Sequence, residues 1–116
     1  MSEDWMLKTL VGLGLKEVEA EVYVFLAKNG PYEAIDIATS LKLSRQQLYR
    51  CLKNLQIKNV VTASTERPFR FSAVIFEKVL DLFLKAKITQ QQILQESKEE
   101  LLSTWRSITE KDSAKS

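Results

Sequence analysis

Residues 41–55 read LKLSRQQLYRCLKNL, and the rest of the fold can be inferred outward from this segment. Apolar side chains recur along it at helical spacing, at Leu48, Cys51, Leu52 and Leu55. The opposite side of the same helix carries Gln46, Arg50 and Lys53, flanked by Arg45 and Tyr49. The spacing therefore predicts an amphipathic helix that packs on a core from behind and exposes a basic face without any acidic residue.

The residues just before this helix predict how the chain enters it. Ser44 and Gln47 fit a capping box, in which each side chain binds the free backbone N–H of the other residue. We expect the helix to begin there and to run to about residue 58, with Asn59 in a left-handed exit conformation. A short helix over 34–41 and a tight link precede it, which is the order of a helix-turn-helix.

A β-hairpin is predicted directly after this pair of helices. VVTAS (60–64) and FRFSAV (69–74) are β-rich and partly alternating, and TERP between them favours a turn. Phe69 and Phe71 alternate with Arg70, so we expect the Phe side of the hairpin to be buried. The pattern predicts a winged helix-turn-helix, mainly α with a small β-hairpin.

Two helices are predicted ahead of the motif. The first covers about 4–11, buries Trp5 and Leu10, and ends at the GLGL stretch. The second covers about 16–28 and ends at Asn29-Gly30-Pro31, because Gly suits a left-handed cap and Pro cannot continue a helix. Residues 1–75 are then one winged helix-turn-helix domain.

A long helix is predicted from Phe76 to as far as Ile108, since the segment contains neither Pro nor Gly. A helix of that length reaches ~50 Å, and the polar tail after it should fray. Apolar residues recur along one side of this helix at spacings of three and four residues. This side is predicted to form a dimer interface through Leu80, Phe83, Leu94, Leu101, Trp105 and Ile108. Lys87, Gln90 and Ser97 interrupt this side and would fix its register. If the helix pairs with a second copy, residues 76–116 form a separate dimerisation helix with a polar tail. The alternative is that the helix folds back onto the winged domain.

Composition limits the class of protein. The chain has 116 residues, 45% of them hydrophobic, with one Cys and no His, which excludes a disulfide framework and disfavours a zinc site. No signal peptide or membrane-length apolar run is recognisable. We expect a soluble, intracellular and cytoplasmic protein. No nucleophile–base pair or Gly-rich phosphate loop is present, so we expect neither an enzyme nor a cofactor, metal or evident small-molecule ligand.

The distribution of charge along the chain is more informative than its net value of +2. Residues 1–36 carry three Lys against seven acidic residues, a sum of −4. Residues 37–70 carry seven basic residues against Glu66 alone, a sum of +6, and the remainder cancels. Concentrated positive charge suits a polyanion, although charge runs are also ordinary solvated faces.

Double-stranded DNA is the partner that these features favour. Arg can bind guanine O6 and N7 in bidentate fashion, Gln can do the same with adenine, and the first turn of a helix suits phosphate. The candidate DNA-binding residues are Ser44, Arg45, Gln46, Gln47, Tyr49, Arg50 and Lys53 in the helix, with Arg67 and Arg70 in the wing. The alternatives are a solvated basic face, a solvated loop at Arg67, and packing of Tyr49 at the core edge. Cys51 is expected to be a buried hydrophobe.

Three stretches resemble the DNA-binding domain of archaeal TrmB-type transcriptional regulators. These are LGLKEVEAEVYVFLAKNGP (13–31), DIATSLKLSRQQLYRCLKNLQIKNVV (36–61) and RPFRFSAV (67–74). The usual Arg and Tyr of that family's second helix correspond to Arg45 and Tyr49. Many members carry a large sugar-binding domain after the wing, whereas this chain offers only a helix. The resemblance implies DNA binding and regulation but no sugar ligand.

Two hypotheses follow. The first is a homodimeric, sequence-specific DNA-binding transcriptional regulator, with helix 45–58 in the major groove and wing 60–74 on the minor groove or backbone. Its two recognition helices would meet successive major grooves ~34–36 Å apart on a palindromic site. The second is a winged-helix protein–protein interaction module without DNA binding.

Overall fold

The computed structural model, which describes residues 2–110, contains six helices and three short strands in those residues. The helices are α1 (Glu3–Leu13), α2 (Glu17–Asn29), α3 (Ala34–Leu41), α4 (Arg45–Ile57), α5 (Phe76–Glu96) and α6 (Lys98–Thr109). The strands are β1 (Tyr32–Glu33), β2 (Val61–Ala63) and β3 (Arg70–Ala73). This confirms the predicted winged helix-turn-helix, mainly α with a small antiparallel sheet.

Residues with positive φ follow the ends of α1, α2 and α4, and at Gly30 and Asn59 a left-handed conformation was predicted. α1 ends before Gly14, whose φ of 130° is a conformation that L side chains rarely adopt. α2 ends before Gly30 (φ 83°). α4 leads through Lys58 to Asn59, which has φ 64°, and the Val60 N–H donates to the Leu55 carbonyl (3.1 Å). This exit satisfies carbonyls that the end of α4 leaves free.

The turn between α3 and α4 is equally tight. Lys42 adopts a left-handed conformation (φ 56°), and the Leu43 N–H donates to the Ala38 carbonyl at 2.9 Å. Only two residues, Lys42 and Leu43, and the cap residue Ser44 separate the helices. The short link fixes the direction in which α4 leaves α3.

The sheet has three strands rather than the two of the predicted hairpin. β3 lies in the centre, with β2 on one side and β1 on the other, and both pairings are antiparallel. Tyr32 lies opposite Phe71 in the β1–β3 pair, and Thr62 lies opposite Ser72 in the β2–β3 pair. β1 is only two residues long, too short for a period-2 pattern to predict it.

The core lies between the helices and the inner side of the sheet. Its fully buried large apolar side chains come from α1, α2, α3, α4, the residue just before β2, and α5: Leu10, Val22, Leu26, Ile37, Leu48, Leu52, Leu55, Val60 and Val79. Cys51 is also buried, as expected. The Tyr23 hydroxyl donates to the Val74 carbonyl at 2.6 Å and so fastens the base of the wing to α2.

Two predictions of burial are wrong. Trp5 is 63% exposed, whereas Leu10 on the same helix is fully buried. α1 packs on α2 through the side of Met6, Leu7 and Leu10, which leaves Trp5 facing outward. Phe69 is 48% exposed, because it precedes β3 and does not share the alternation that packs Phe71 against the core.

The chain divides into two compact units, the first ending at Phe83 and the second starting at Leu84. The second unit contains the part of α5 after Phe83 and the whole of α6. The single helix predicted from Phe76 to Ile108 is divided into these two helices at Ser97 (φ −95°, ψ 5°). Among residues 2–110, no helix combines the length and the apolar character that a bilayer crossing requires. The tail beyond Glu110 lies outside the described residues.

Candidate nucleic-acid interface

The N-terminus of α4 is capped as predicted. The Gln47 N–H donates to Ser44 Oγ and the Ser44 N–H donates to Gln47 Oε1, each at 3.1 Å. The two side chains thus satisfy two of the four N–H groups that a helix start leaves free. The cap commits Gln47 Oε1 to the backbone, whereas its amide NH₂ is not used by the cap.

The outer ridge of α4 consists of Gln46, Arg50 and Lys53, with Ile57 in line behind them. All four side chains are exposed, and they lie opposite the buried row that contains Leu48 and Leu52. Within residues 2–110 neither Arg50 nor Lys53 is part of a salt bridge. The outer ridge is therefore open to solvent and its positive charges are not neutralised by neighbouring acids.

Arg45 and Tyr49 lie along the edge of α4 that faces α3. Together with Ile35 and Thr39 of α3 they line a shallow cavity of about 160 Å³. Tyr49 is 53% exposed, so it packs only partly at the core edge. The two helices of the motif therefore share one exposed surface on this side, and Arg45 lies at its border.

The C-terminal end of α4 is fastened by an ion pair that the sequence did not reveal. The Lys58 ammonium lies 2.8 Å from Glu19 Oε1 and also donates to the Gly14 carbonyl at 3.3 Å. The Lys16 backbone N–H donates to the same Glu19 oxygen at 3.0 Å. These bonds join the α1–α2 turn to the C-terminal end of α4.

Glu19 is only 2% exposed, the one buried charged residue among those described. Burial by itself raises the pKa of its carboxyl. Hydrogen bonds from the Lys58 ammonium and the Lys16 N–H outweigh that effect and hold the pKa below its ordinary value. Glu19 stands at i−3, i−4 and i−7 from the buried Val22, Tyr23 and Leu26, and this spacing was the signal that could have placed it inward.

The wing turn is held by Ser64. Its N–H donates to the Arg70 carbonyl (2.9 Å), and its hydroxyl accepts from the Arg70 N–H (2.9 Å) and donates to the Glu66 carbonyl (3.1 Å). The Arg67 guanidinium lies over the Phe69 ring, 5.6 Å from its centroid. This contact gives the exposed Phe69 a partner and positions Arg67 at the tip of the wing.

Arg70 occupies a different setting from Arg67. It lies in β3, opposite Glu33 of β1, and it is exposed. No salt bridge joins the two residues in the described part of the chain. Both wing arginines are therefore exposed, one at the tip and one on the strand.

The residues predicted to form a dimer interface fall into two groups. Leu80 and Phe83 belong to the first unit and are partly buried, and Phe83 packs against its core. The others lie in the second unit and are each half exposed or more: Leu94, Leu101, Trp105 and Ile108. Their pairing with a second copy stays a prediction.

Comparison with protein families and solved structures agrees with this geometry. The family model described as "Sugar-specific transcriptional regulator TrmB" matches residues 10–77, which is more than half of the chain. The match covers α2, α3, α4 and the wing. No curated protein sequence matches the chain.

Solved structures resemble the chain in fold. TrmBL2, described as an archaeal chromatin protein with a novel mode of DNA binding, aligns with a TM-score of 0.78 at 21% identity, over 93% of this chain and 42% of its own. A possible transcriptional regulator from Methanosarcina mazei Go1 gives 0.62 at 18%, over 75% and 80%. A transcriptional regulator from Thermotoga maritima gives 0.57 at 12%, over 98% and 88%. The chain thus spans less than half the length of TrmBL2.

Proposed function

The chain belongs to the TrmB family of transcriptional regulators, and from this premise we propose that it binds double-stranded DNA sequence-specifically as a homodimer. α4 would occupy the major groove and the wing would contact the minor groove or the backbone. In a cell without a nucleus the chromosome lies in the cytoplasm, and a regulator of transcription acts there. The proposal therefore places the protein in the cytoplasm. It includes no enzymatic activity and no small-molecule ligand.

One observation carries the proposal: the outer ridge of α4 is exposed, basic and free of acids. A helix that enters the major groove must be held from behind by apolar packing and must present side chains that do not repel phosphate. The buried row of Leu48, Cys51, Leu52 and Leu55 meets the first requirement. Gln46, Arg50 and Lys53 meet the second.

Each ridge residue suits a different part of the duplex. Arg50 can donate to guanine O6 and N7, and Gln46 can pair with adenine N6 and N7, with ~1–3 kcal/mol of discrimination for each good contact. Lys53 and Arg45 suit phosphate oxygens, and the capped start of α4 presents Ser44 to the same groups. Arg67 at the wing tip and Arg70 on β3 would neutralise phosphates beside the groove.

A homodimer would present two such helices. Exposed apolar residues of the second unit supply the surface for pairing, through Leu94, Leu101, Trp105 and Ile108. Two recognition helices in successive major grooves, ~34–36 Å apart, would favour a roughly palindromic operator. The mass of the purified chain in solution, measured by light scattering, tests this part of the proposal separately.

The DNA-binding proposal is tested by selecting bound duplexes from a random pool and titrating the selected DNA against salt. With several Arg and Lys contacts per subunit, affinity should fall roughly 10³-fold or more between 50 and 200 mM salt. An Arg50→Ala/Lys53→Ala variant with unchanged thermal stability should lose the selected preference. Affinity that barely changes with salt, or no enrichment from the pool, contradicts the proposal.

A second function is favoured by one feature of the same ridge. Ile57, in line with Arg50 and Lys53, is 67% exposed, and Tyr49 on the same helix is 53% exposed. Exposed apolar side chains suit a protein partner better than a phosphate backbone. If the purified dimer binds no duplex at low salt, a protein–protein interaction module becomes the better description.

A further inference from the structure

The second unit carries large apolar side chains that no other part of the described chain covers. Six of them, Leu84, Ile88, Leu94, Leu101, Trp105 and Ile108, are each between 47 and 63% exposed. α6 contains no buried residue at all. Contiguous exposed apolar surface of this kind marks an interaction surface on a protein.

Five of these six residues, all except Ile88, fall on two positions of a seven-residue repeat. One position of the repeat is occupied by Leu84, Gln91, Lys98 and Trp105. The position three residues later is occupied by Lys87, Leu94, Leu101 and Ile108. The two sets are 3 and 4 residues apart, so they share one side of the helix and form the seam of a two-stranded coiled coil. We call these eight positions the seam.

Ser97 lies between the two halves of the seam, where α5 ends and α6 begins. The Ser97 N–H donates to the Ile93 carbonyl at 3.0 Å, and the Leu101 N–H donates to the Ser97 carbonyl at 2.8 Å. Both bonds join residues four apart, while Ser97 itself lies between the two helices with φ −95° and ψ 5°. The seven-residue spacing of the sequence therefore runs over 84–94 in α5 and over 98–108 in α6, more than three repeats in all.

The two seam lysines decide between the possible arrangements of two copies. In a parallel pair in register, each seam residue lies beside the same residue of its partner. Lys87 would then meet the partner subunit's Lys87, and Lys98 the partner subunit's Lys98, close together and away from water. Like charges in a seam are destabilising and select against such a pairing.

An antiparallel pair with Leu84 opposite the partner subunit's Ile108 removes both conflicts. Every seam position then lies opposite another seam position of the partner: 84 faces 108, 87 faces 105, 91 faces 101 and 94 faces 98. Lys87 meets the partner subunit's Trp105, the best cation–π acceptor among side chains. Lys98 meets the partner subunit's Leu94, along which the alkyl stem of Lys98 can pack while its ammonium reaches water. Gln91 meets the partner subunit's Leu101.

We infer that the second unit pairs with a second copy of this chain as an antiparallel coiled coil, with Leu84 opposite the partner subunit's Ile108 and Lys87 opposite its Trp105. This rests on the proposed homodimer and goes beyond it by fixing the direction and register of the pairing. The two lysine positions that weaken the seam in a parallel pair specify its direction in an antiparallel one.

Disulfide cross-linking of the full chain tests the arrangement. Gln91→Cys and Leu101→Cys are made as separate proteins, one of them with a tag that changes its size, and are oxidised alone and after mixing. An antiparallel pair holds residue 91 near residue 101 of the partner, and two copies of residue 91 ~15 Å apart. The mixture should give at least tenfold more cross-linked dimer than either protein alone. Gln92→Cys, on the outer side, is the matched control, and the parent chain reports on the buried Cys51.

Each other result overturns the inference. Self-linking of Gln91→Cys alone indicates a parallel pair and leaves the homodimer intact. A dimeric mass with no cross-link in any combination indicates another surface or register. A monomeric mass removes both the coiled coil and the proposed homodimer, whereas DNA binding is measured separately by gel shift.

A second readout does not depend on disulfide geometry. Nitroxide labels attached to Ala86→Cys, on an exposed position outside the seam, should lie at least ~30 Å apart in the antiparallel pair, since residue 86 lies opposite about residue 106. In a parallel pair the two labels lie side by side, at roughly half that separation or closer. A single short distance overturns the inference even if Leu101→Cys weakens the dimer.

Discussion

The Lys58 ammonium at the C-terminal end of α4 lies 2.8 Å from the carboxylate of Glu19, which is almost fully buried at the start of α2. The pair links the helix that we propose to read DNA to the α1–α2 turn. The same ammonium contacts the Gly14 carbonyl, a position where the backbone requires glycine. The stability of this junction is therefore open to test without DNA.

Glu19→Gln should destabilise the fold by about 2 kcal/mol. The change leaves Lys58 without its anionic partner, and loss of one member of a buried pair costs a few kcal/mol. We expect a value at the lower end because the Lys58 side chain is 32% exposed and can regain water. Urea unfolding measures the difference. Glu17→Gln, at an exposed neighbouring position, should stay within about 0.5 kcal/mol of the parent, and equal effects of both changes contradict the assignment.

The same carboxyl should make stability depend on acid. Its pKa in the folded chain is below the ordinary value of 4.5, so the unfolded chain takes up the proton first as the pH falls. The stabilisation is therefore complete above about pH 4.5 and is lost as the pH falls through the folded pKa. Urea unfolding of both proteins should be measured from pH 7 to pH 3. The difference in unfolding midpoint between the parent and Glu19→Gln should become smaller as the pH falls. A constant difference contradicts the ionised pair.

Arg50→Ala should relax sequence preference more than it weakens binding to arbitrary DNA. A lost bidentate contact to guanine costs ~1–3 kcal/mol at one base position, and little at other sequences. Competition gel shifts with the selected duplex and single-base variants of it measure this. Arg106→Ala, which removes a charge of the same type from α6, is the control. It should change neither the sequence preference nor the affinity for arbitrary DNA. Equal losses on all duplexes mean that Arg50 contacts phosphate instead.

Arg67→Ala should weaken binding to all sequences alike. Its guanidinium lies over Phe69 at the wing tip, where contact with phosphate rather than with base edges is expected. Loss of a phosphate contact lowers the slope of log affinity against log salt by about 1 per subunit. Arg67→Lys keeps the charge and should retain most of the slope. A change in base preference with an unchanged salt slope contradicts a backbone contact.

The helix α4 could be predicted from the sequence because several local signals agreed on it. The Ser44–Gln47 cap, the apolar row of α4 and the left-handed Asn59 depend only on residues close in the chain. Gly14 and Gly30 ended α1 and α2 for the same reason. The exposed ridge followed from the buried row, since one side of a helix determines the other.

The features that were missed depend on residues distant in the chain. Trp5 is exposed because of which side of α1 meets α2, and apolar character alone does not reveal that side. β1 exists only through its pairing with β3. The Glu19–Lys58 pair joins residues 39 apart, and the carboxylate is accepted in the interior only because that distant cation neutralises it.

The fastening of α4 at both ends has a consequence for how the protein would meet its operator. The Ser44–Gln47 box holds the first turn, and Lys58 ties the last turn to α1 and α2 through Gly14 and Glu19. The backbone that presents the reading side chains is thus already ordered before any encounter. Little backbone conformational entropy in α4 remains to be lost on docking, so rapid association with an already ordered helix, limited by collision and charge steering, is the kinetic behaviour that this architecture favours.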